Sequence, residues 1–353
     1  MYGTRPQLVK LASVWEHLER TFCSVLVDSG QHYDSRLAGA FYHGEGLRAP
    51  DVHLGVRENT PAAQIGKIAD ALDRLLGKLH PDAVITFGDT STTAGAAIAA
   101  SYRGIPTAHI EAGMRSFDRT TPEEKNRVLA DHLSTWRFCP TRTAILNLKR
   151  EGLGAGVIGV GDVMYESFLR NQAILRTPDF PRMIELPERE YYFVTCHRAE
   201  NIDQTERLKR LCEILAQLDR AVVFAVHPRA RKNLIRHRLW ARLKRLEHLR
   251  LTAPLNHQQT LVLAASARVV LTDSGGLQRE SYWLRTPCLT LREQTEWVET
   301  VQCGANRLVG LQWDHVREAI NRPWHIKTIR DPYFRNRSPV SRIVARLERD
   351  LTQ

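Results

Sequence analysis

Residues able to move protons or hold anions recur at one kind of place in this chain, directly after a short apolar run. Asp89 follows "AVITFG" and Glu111 follows "PTAHI". Further on, His197 follows "YYFVTC", His227 follows "VVFAV", Asp273 and Ser274 follow "RVVLT", and Arg292 follows "CLTL". A second acidic pair, Glu123 and Glu124, comes soon after Glu111 in a chain whose net charge is +11. Carboxylates and imidazoles suit general acid–base chemistry, and arginine suits phosphate. Singly, each residue has a structural reading: a strand-end aspartate caps the next helix, and a histidine packs with its nitrogens bonded. Together, in both halves of the chain, they point to a ligand cleft between two domains, because open parallel sheets bind ligands beyond the carboxyl ends of their strands. Neighbouring strands lie about 4.8 Å apart, close enough for such side chains to converge.

The stretch "TDSGGLQRESYWL", residues 272–284, carries a phosphate signal. A strand ends, Gly275 and Gly276 allow close backbone approach, and a helix begins whose free N–H groups and positive dipole end suit a diphosphate. An ordinary glycine turn capped by Ser274 accounts for the same residues, and the local sequence leaves both open. Arg5, at a turn in the first half, and Arg292 are of the type that adds charge-assisted hydrogen bonds to phosphate.

The elements that must position these residues alternate along the chain. Apolar runs such as "CSVLVDSG", "PDAVITFGDT", "IPTAHIEAG", "YYFVTCHR", "AVVFAVHP", "ARVVLTDSGG" and "PCLTLRE" are separated by amphipathic or small-residue helices such as "TTAGAAIAASY" and "QTERLKRLCEILAQL". Continuous apolar strands separated by helices imply parallel sheets covered on both faces. The pattern predicts two doubly wound α/β domains facing each other, joined near residues 165–188, where three prolines interrupt any strand signal. The opening "GTRPQLVKLASVWEHLER" reads as a turn and a helix with only a stub of strand before it. The run "GAGVIG", 154–159, matches the dinucleotide fingerprint but follows a helix and leads into a strand. That is the reverse of the order in which the motif binds pyrophosphate, so nicotinamide binding is rejected.

Composition excludes other classes. A chain of 353 residues, 43% apolar and 25% charged, is long enough for two domains with proper cores. No apolar run approaches the roughly 20 residues that span a bilayer, and "MYGTRPQLVK" lacks the core of a secretory signal. The six cysteines form no C-x-x-C pair and read as reduced thiols of a cytoplasmic protein, and no His/Cys set has zinc spacing, so no metal is expected. Much of the positive charge lies in residues 229–250, where Leu234, Leu239, Trp240, Leu243 and Leu246 predict a surface helix with a solvated basic face. No nucleic-acid reading motif accompanies it.

In order along the chain, "GTRPQLVK", "SGQHYD", "PDAVITFGDTSTTAGAA", "HIEAGMRS", "PEEKNRVLADHLS", "CHRAEN", "VHPR", "LTDSGGLQRE" and "LREQTEWVE" resemble the non-hydrolysing UDP-N-acetylglucosamine 2-epimerase family over nearly the whole length. The resemblance implies two Rossmann-like domains in the GT-B arrangement, residues 1–165 and 166–335, with a helix in 336–353 crossing back onto the first. It also implies a UDP-sugar substrate, no cofactor and a homodimer. The C2 proton of a 2-acetamido sugar is hardly acidic. Without a nicotinamide, the open route expels UDP from C1 while a base takes that proton, leaving a glycal-type alkene to which UDP re-adds. Such a route needs acid–base groups on two faces of the ring and a firm hold on the leaving UDP.

By the same resemblance Asp89, Glu111, Glu123 and His197 match catalytic positions. Glu111 and Glu123 are implied as the acid–base pair, with Asp89 assisting and His197 near the diphosphate. Arg5, Ser274, Gly275, Gly276, Glu280 and Arg292 match UDP-binding positions, with Glu280 on the ribose, and Lys10 matches a position near the active site. Gln31, His32 and His227 match positions near a second UDP-sugar site that activates some members. "TEWVE" stands where the family commonly has "TERPE". With "GDVMYES" and "HRAEN" it is similar to a subgroup that includes 2-epimerases of UDP-2,3-diacetamido-2,3-dideoxyglucuronic acid. Arg115, Arg119 and Arg198 are candidates to meet that sugar's extra carboxylate. A GT-B glycosyltransferase, a hydrolysing relative releasing N-acetylmannosamine, and a non-catalytic UDP-sugar-binding protein are the competing readings.

Overall fold

Apolar runs that alternate with helices fold here as parallel strands, and every strand pair among the described residues is parallel. The computed structural model describes residues 1–31, 47–171, 186–334 and 338–352; His32 and the side chain of Arg5 lie outside the described residues, as does most of the proline-containing segment at 165–188. Two units are present, Met1–Arg170 with Arg330–Gln353, and Asn171–Ile329.

The first unit begins with Tyr2, which bridges Asp28 in parallel, followed by α1 (Arg5–Thr21). Then come β1 (Val27–Asp28), β2 (Val52–His53), α2 (Pro61–Leu79), β3 (Val84–Phe87) and α3 (Ser91–Tyr102). After them come β4 (Thr107–Ile110), α4 (Pro122–Leu133), β5 (Trp136–Cys139), α5 (Arg142–Arg150), β6 (Val157–Gly159) and α6 (Val163–Asn171). β1 pairs with β2, and β3-β4-β5-β6 form a second sheet in sequence order. Tyr2 is buried, and its peptide exchanges bonds with Val27 and Ser29, so the stub does the work of a strand beside β1. α1 starts where it does because the Gln7 side chain accepts from the N–H groups of Gly3 (2.9 Å) and Thr4 (3.2 Å), satisfying donors a helix start leaves free.

In the second unit β7 (Tyr191–Cys196) is followed by α7 (Ala199–Ile202), α8 (Thr205–Gln217), β8 (Ala221–Val226), α9 (Pro228–Arg236), α10 (Trp240–Lys244) and β9 (Leu249–Thr252). The chain continues through α11 (His257–Ser266), β10 (Val269–Thr272), α12 (Gly275–Trp283), β11 (Cys288–Thr290), α13 (Val298–Gln302), β12 (Asn306–Leu308) and α14 (Trp313–Asn321). The sheet order is β12-β11-β10-β7-β8-β9. The chain winds outward from β7 to β9, returns to lay β10 against β7, and winds outward again. The order therefore reverses between β7 and β10, the crevice at which doubly wound sheets bind ligands. The last helix, α15 (Pro339–Leu351), belongs to the first unit. It buries Val340, Ile343, Val344 and Leu347, a single helical face, in a cluster with Leu8, Leu11, Trp15 and Leu18 of α1. Each such side chain contributes about 1.5–3 kcal/mol on burial.

Three local expectations change. The apolar run at 23–30 yields only the two-residue β1. The basic segment is not one helix: it breaks at Arg238, whose φ is 60°, into α9 and α10, then becomes β9. Its leucines point inward all the same, Leu234 and Leu243 being buried. Strand β5 was not evident in the sequence because Arg137 interrupts its apolar pattern, yet all four of its residues are buried. The "GAGVIG" run follows α5 and its last three residues are β6, helix before strand.

Candidate functional site

In the first unit the carboxyl ends of β3 and β4 carry Asp89 and Glu111. Lys10, one turn into α1, reaches Glu111 with Nζ–Oε1 2.7 Å, both side chains about one-tenth exposed. Room for that pair comes from Gly88: a Cβ there would stand 2.9 Å from Lys10 Nζ, and its φ of +63° suits glycine. Glu111 itself has φ 73°, a left-handed conformation that costs a non-glycine residue about 1–3 kcal/mol and is found at functional sites. Asp89 is ion-paired with Arg127, and its carbonyl accepts from Asn126 Nδ2 at 3.0 Å.

Of the acidic pair that opens α4, Glu124 turns inward. It is buried and accepts from Ser116 N (2.9 Å), Ser116 Oγ (3.0 Å), Phe117 N (2.9 Å) and Arg127 (3.0 Å), which pins the loop after Glu111. Glu123 lies half-buried on the same first turn. Behind them runs a buried ionic chain that sequence reasoning missed. His109 Nδ1 lies 2.7 Å from Asp131 Oδ1, and its Nε2 lies 2.7 Å from the Gly88 carbonyl. Arg115 then links Asp131 Oδ2 (2.7 Å) to both oxygens of Glu151 (2.7 Å each). These bonds commit Arg115 to internal partners and remove it from the candidates for a substrate carboxylate. Arg119 is exposed. Gln31 Oε1 accepts from Thr92 N (3.0 Å) and Thr92 Oγ1 (2.8 Å), so its amide oxygen serves the start of α3.

In the second unit Asp273, at the end of β10, is the organising group. It is fully buried and accepts from the N–H groups of His197 (3.1 Å) and Arg198 (2.9 Å), from Asn201 Nδ2 (3.0 Å) and from the Cys196 thiol (3.2 Å). Burial alone would raise its pKa, but the His197 charge, the Arg198 N–H, the Asn201 amide and the thiol together hold it below the usual carboxylate value. The result fixes the end of β7 against β10 at the reversal of strand order. His197, 39% exposed, presents its ring there, with the His227 ring centroid 6.0 Å away.

Ser274 caps α12, its Oγ accepting from Leu277 N at 3.4 Å. At Gly275 a Cβ would fall 2.6 Å from Glu296 Oε1, so a side chain there would push that carboxylate back from the helix start; Gly276 is open, with Ser274 Oγ at 3.7 Å. Arg292, buried, is bonded to Glu296 Oε2 (2.9 Å), and Arg198 lies 3.5 Å from Glu296 Oε1. Trp297 of the "TEWVE" run is buried under the Arg279 guanidinium, 3.8 Å from its ring centroid. Glu280 is buried and holds His257 Nε2 at 2.7 Å. Among the described residues no cluster of His, Cys, Asp and Glu could hold a metal ion, and no helix is long and apolar enough to cross a membrane.

The structure thus groups Lys10, Asp89 and Glu111 in the first unit, and His197, His227, Ser274, Gly275, Gly276 and Arg292 at the strand ends of the second. Asp131, Glu124 and Asp273 are the buried carboxylates that hold these groups in place. The doubled "EE" and the D-S-G-G turn were the sequence signals of Glu124 and Asp273, and Asp131 had none.

Comparison with known proteins agrees with this geometry. The family profile described as UDP-N-acetylglucosamine 2-epimerase matches residues 16–348. A UDP-N-acetylglucosamine 2-epimerase homolog of Methanococcus maripaludis is 40% identical over 322 residues, 91% of this chain and 90% of that protein. The UDP-2,3-diacetamido-2,3-dideoxy-D-glucuronate 2-epimerase of Pseudomonas aeruginosa is 37% identical over 326 residues, 90% and 89% of the two chains. The crystal structure of Methanocaldococcus jannaschii UDP-GlcNAc 2-epimerase in complex with UDP-GlcNAc and UDP superposes with TM-score 0.90 at 36% identity, covering 98% of each chain. The α/β fold of two Rossmann-like domains is of the GT-B type. This chain belongs to the UDP-N-acetylglucosamine 2-epimerase family.

Proposed function

We propose that the protein is a UDP-sugar 2-epimerase that interconverts UDP-N-acetylglucosamine and UDP-N-acetylmannosamine by eliminating and re-adding UDP. The observation that carries this reading is Glu111, held in a left-handed backbone conformation against the Lys10 ammonium at 2.7 Å. A carboxylate is the type of group that exchanges a proton with carbon, and the Lys10 ammonium fixes its place at the end of β4. Asp89 and Glu123 are the neighbouring acidic groups in the proposal, with Glu123 the second member of the acid–base pair. The strand ends of the second unit supply the hold on UDP. Ser274, Gly275 and Gly276 offer the α12 N–H groups to the diphosphate, Arg292 adds charge-assisted bonds, and Glu280 takes the ribose. Arg5 adds a further phosphate contact, and His197 assists the departing UDP. A homodimer and a cytoplasmic location belong to the same reading.

UDP-2,3-diacetamido-2,3-dideoxyglucuronic acid is the second substrate to be assayed, on the strength of the 37% identity to the Pseudomonas aeruginosa protein. Incubation with UDP-N-acetylglucosamine in deuterated water decides the reaction class. Epimerisation places deuterium at C2 of the recovered sugar nucleotide. Glycosyl transfer leaves C2 protonated, hydrolysis releases free N-acetylmannosamine, and a binding protein returns the substrate unchanged. Each of these three outcomes rejects the proposal.

A further inference from the structure

We propose that His109, held as a doubly protonated imidazolium between Asp131 and the Gly88 carbonyl, is the positioning residue that sets Asp89 and Glu111 for proton transfer. The role rests on the epimerase reading above. The protonation state does not. His109 and Asp131 are both completely buried. Each ring nitrogen faces, at 2.7 Å, an oxygen that only accepts: a carboxylate on one side and a backbone carbonyl on the other. A neutral imidazole has one N–H and one lone pair, so one of these contacts would set lone pair against lone pair in a buried place. A proton on the aspartate would relieve that conflict, but the surroundings of Asp131 oppose it. Arg115 donates to its Oδ2 at 2.7 Å, and a guanidinium at that distance favours the ionised carboxylate. Its second oxygen also accepts from Gly113 N at 3.1 Å.

The other charged groups nearby have their own partners. Arg115 is shared between Asp131 and Glu151. Arg137, beside His109 in the β4–β5 register, gives Nε to the Asp131 carbonyl (2.5 Å) and a terminal nitrogen to the Ala155 carbonyl (2.9 Å). The Cys139 thiol on the same strand is pushed up by burial and stays neutral. The extra proton therefore sits on His109.

Its effect reaches both candidate carboxylates. The Gly88 peptide is tied at two points, its carbonyl to the imidazolium and its N–H to the Ile110 carbonyl at 2.9 Å. Asp89 is the next residue along, and the missing Cβ of Gly88 is what gives Lys10 and Glu111 their space. At the other end, His109 stands two positions before Glu111 on β4, and the N–H groups of Glu111 and Ala112 both bond the Phe138 carbonyl at 3.1 Å. A charge-assisted bond at Gly88 is roughly twice as strong as a neutral one, which suits a turn that must hold Glu111 in a strained conformation.

Nitrogen-15 NMR of the ring, with His109 assigned by its loss in His109→Gln, tests the protonation state in the wild-type protein. Both nitrogens are expected to carry hydrogen in the folded protein at neutral pH, because each faces an acceptor. His109→Gln, which keeps a donor but no charge, is expected to lower kcat about 100-fold while KM and UDP affinity stay within about threefold. Asp131→Asn serves as the second variant and is expected to show the same split. A singly protonated ring at neutral pH overturns the proposal, as does either variant with wild-type kcat. A wild-type protein without turnover defeats the epimerase reading and the positioning role with it, but an active enzyme with a neutral His109 defeats only the latter.

Discussion

Replacing Gly88 by alanine disturbs the Lys10–Glu111 pair without changing any charge. Gly88 sits at φ +63°, where a side chain costs about 1–2 kcal/mol. The added methyl would stand 2.9 Å from Lys10 Nζ and 3.7 Å from Glu111 Oε1. Non-bonded heavy atoms settle nearer 3.5–4.0 Å, so the ammonium must retreat by roughly half an ångström or more while the carboxylate keeps its place. The far end of a lysine moves easily, and the stability cost stays close to the backbone term. That corresponds to a fall in Tm of about 2–4 °C per kcal/mol for a chain of this size. Turnover is more sensitive, because the displaced ammonium is what orients the reacting carboxylate, and misplacements on the order of an ångström cost about 100-fold even when they begin away from the reacting atoms. Thermal melts, UDP calorimetry and C2 deuterium incorporation measured on the one variant separate these effects. A large loss of turnover is expected with a small loss of Tm and unchanged UDP affinity. Wild-type turnover, or an activity loss explained by unfolding, refutes the role given to the pair.

Arg115→Met takes one of its cations from buried Asp131 and the two-point partner from half-buried Glu151, and a loss of about 3–5 kcal/mol in denaturant unfolding is expected. An unchanged midpoint contradicts the structural role of Arg115. Asp273 has a folded pKa below its ordinary 3.8, so its contribution to stability is complete above the unfolded value and is lost as pH falls through the lower folded one. Unfolding measured at descending pH should show that loss in the wild type and not in Asp273→Asn, which is less stable at neutral pH. Arg292→Ala removes a charged hydrogen-bond donor worth about 1.5–3 kcal/mol, and calorimetry should show UDP affinity reduced about 10- to 100-fold.

The parallel α/β layers were legible because strands such as "VVLT" and "AVVFAV" are apolar throughout, a pattern that burial on both faces requires. Strand-end chemistry was legible for the same reason: once a strand's end is known, the next polar residue falls at the ligand edge. Arg137 hid strand β5, because a buried arginine reads as a surface residue until its carbonyl partners at Asp131 and Ala155 are seen. The break at Arg238 was hidden because the leucine spacing on either side continues across it. Only the resemblance chose Glu123 over Glu124, since the local sequence does not show that a loop folds over Glu124. His109 carried the same ambiguity as any strand histidine until both of its nitrogens met acceptors.

Glu111→Gln reaches the proposed proton transfer most directly, because the amide keeps the shape and removes the base. Two quantities are needed from the same preparation: the rate of deuterium entry at C2 of UDP-N-acetylglucosamine, and the dissociation constant for UDP. The expected result is a rate reduced by about 1,000-fold or more, with UDP bound within about threefold of the wild type. Deuterium entering at the wild-type rate would contradict the assignment of Glu111 as the group that exchanges the C2 proton.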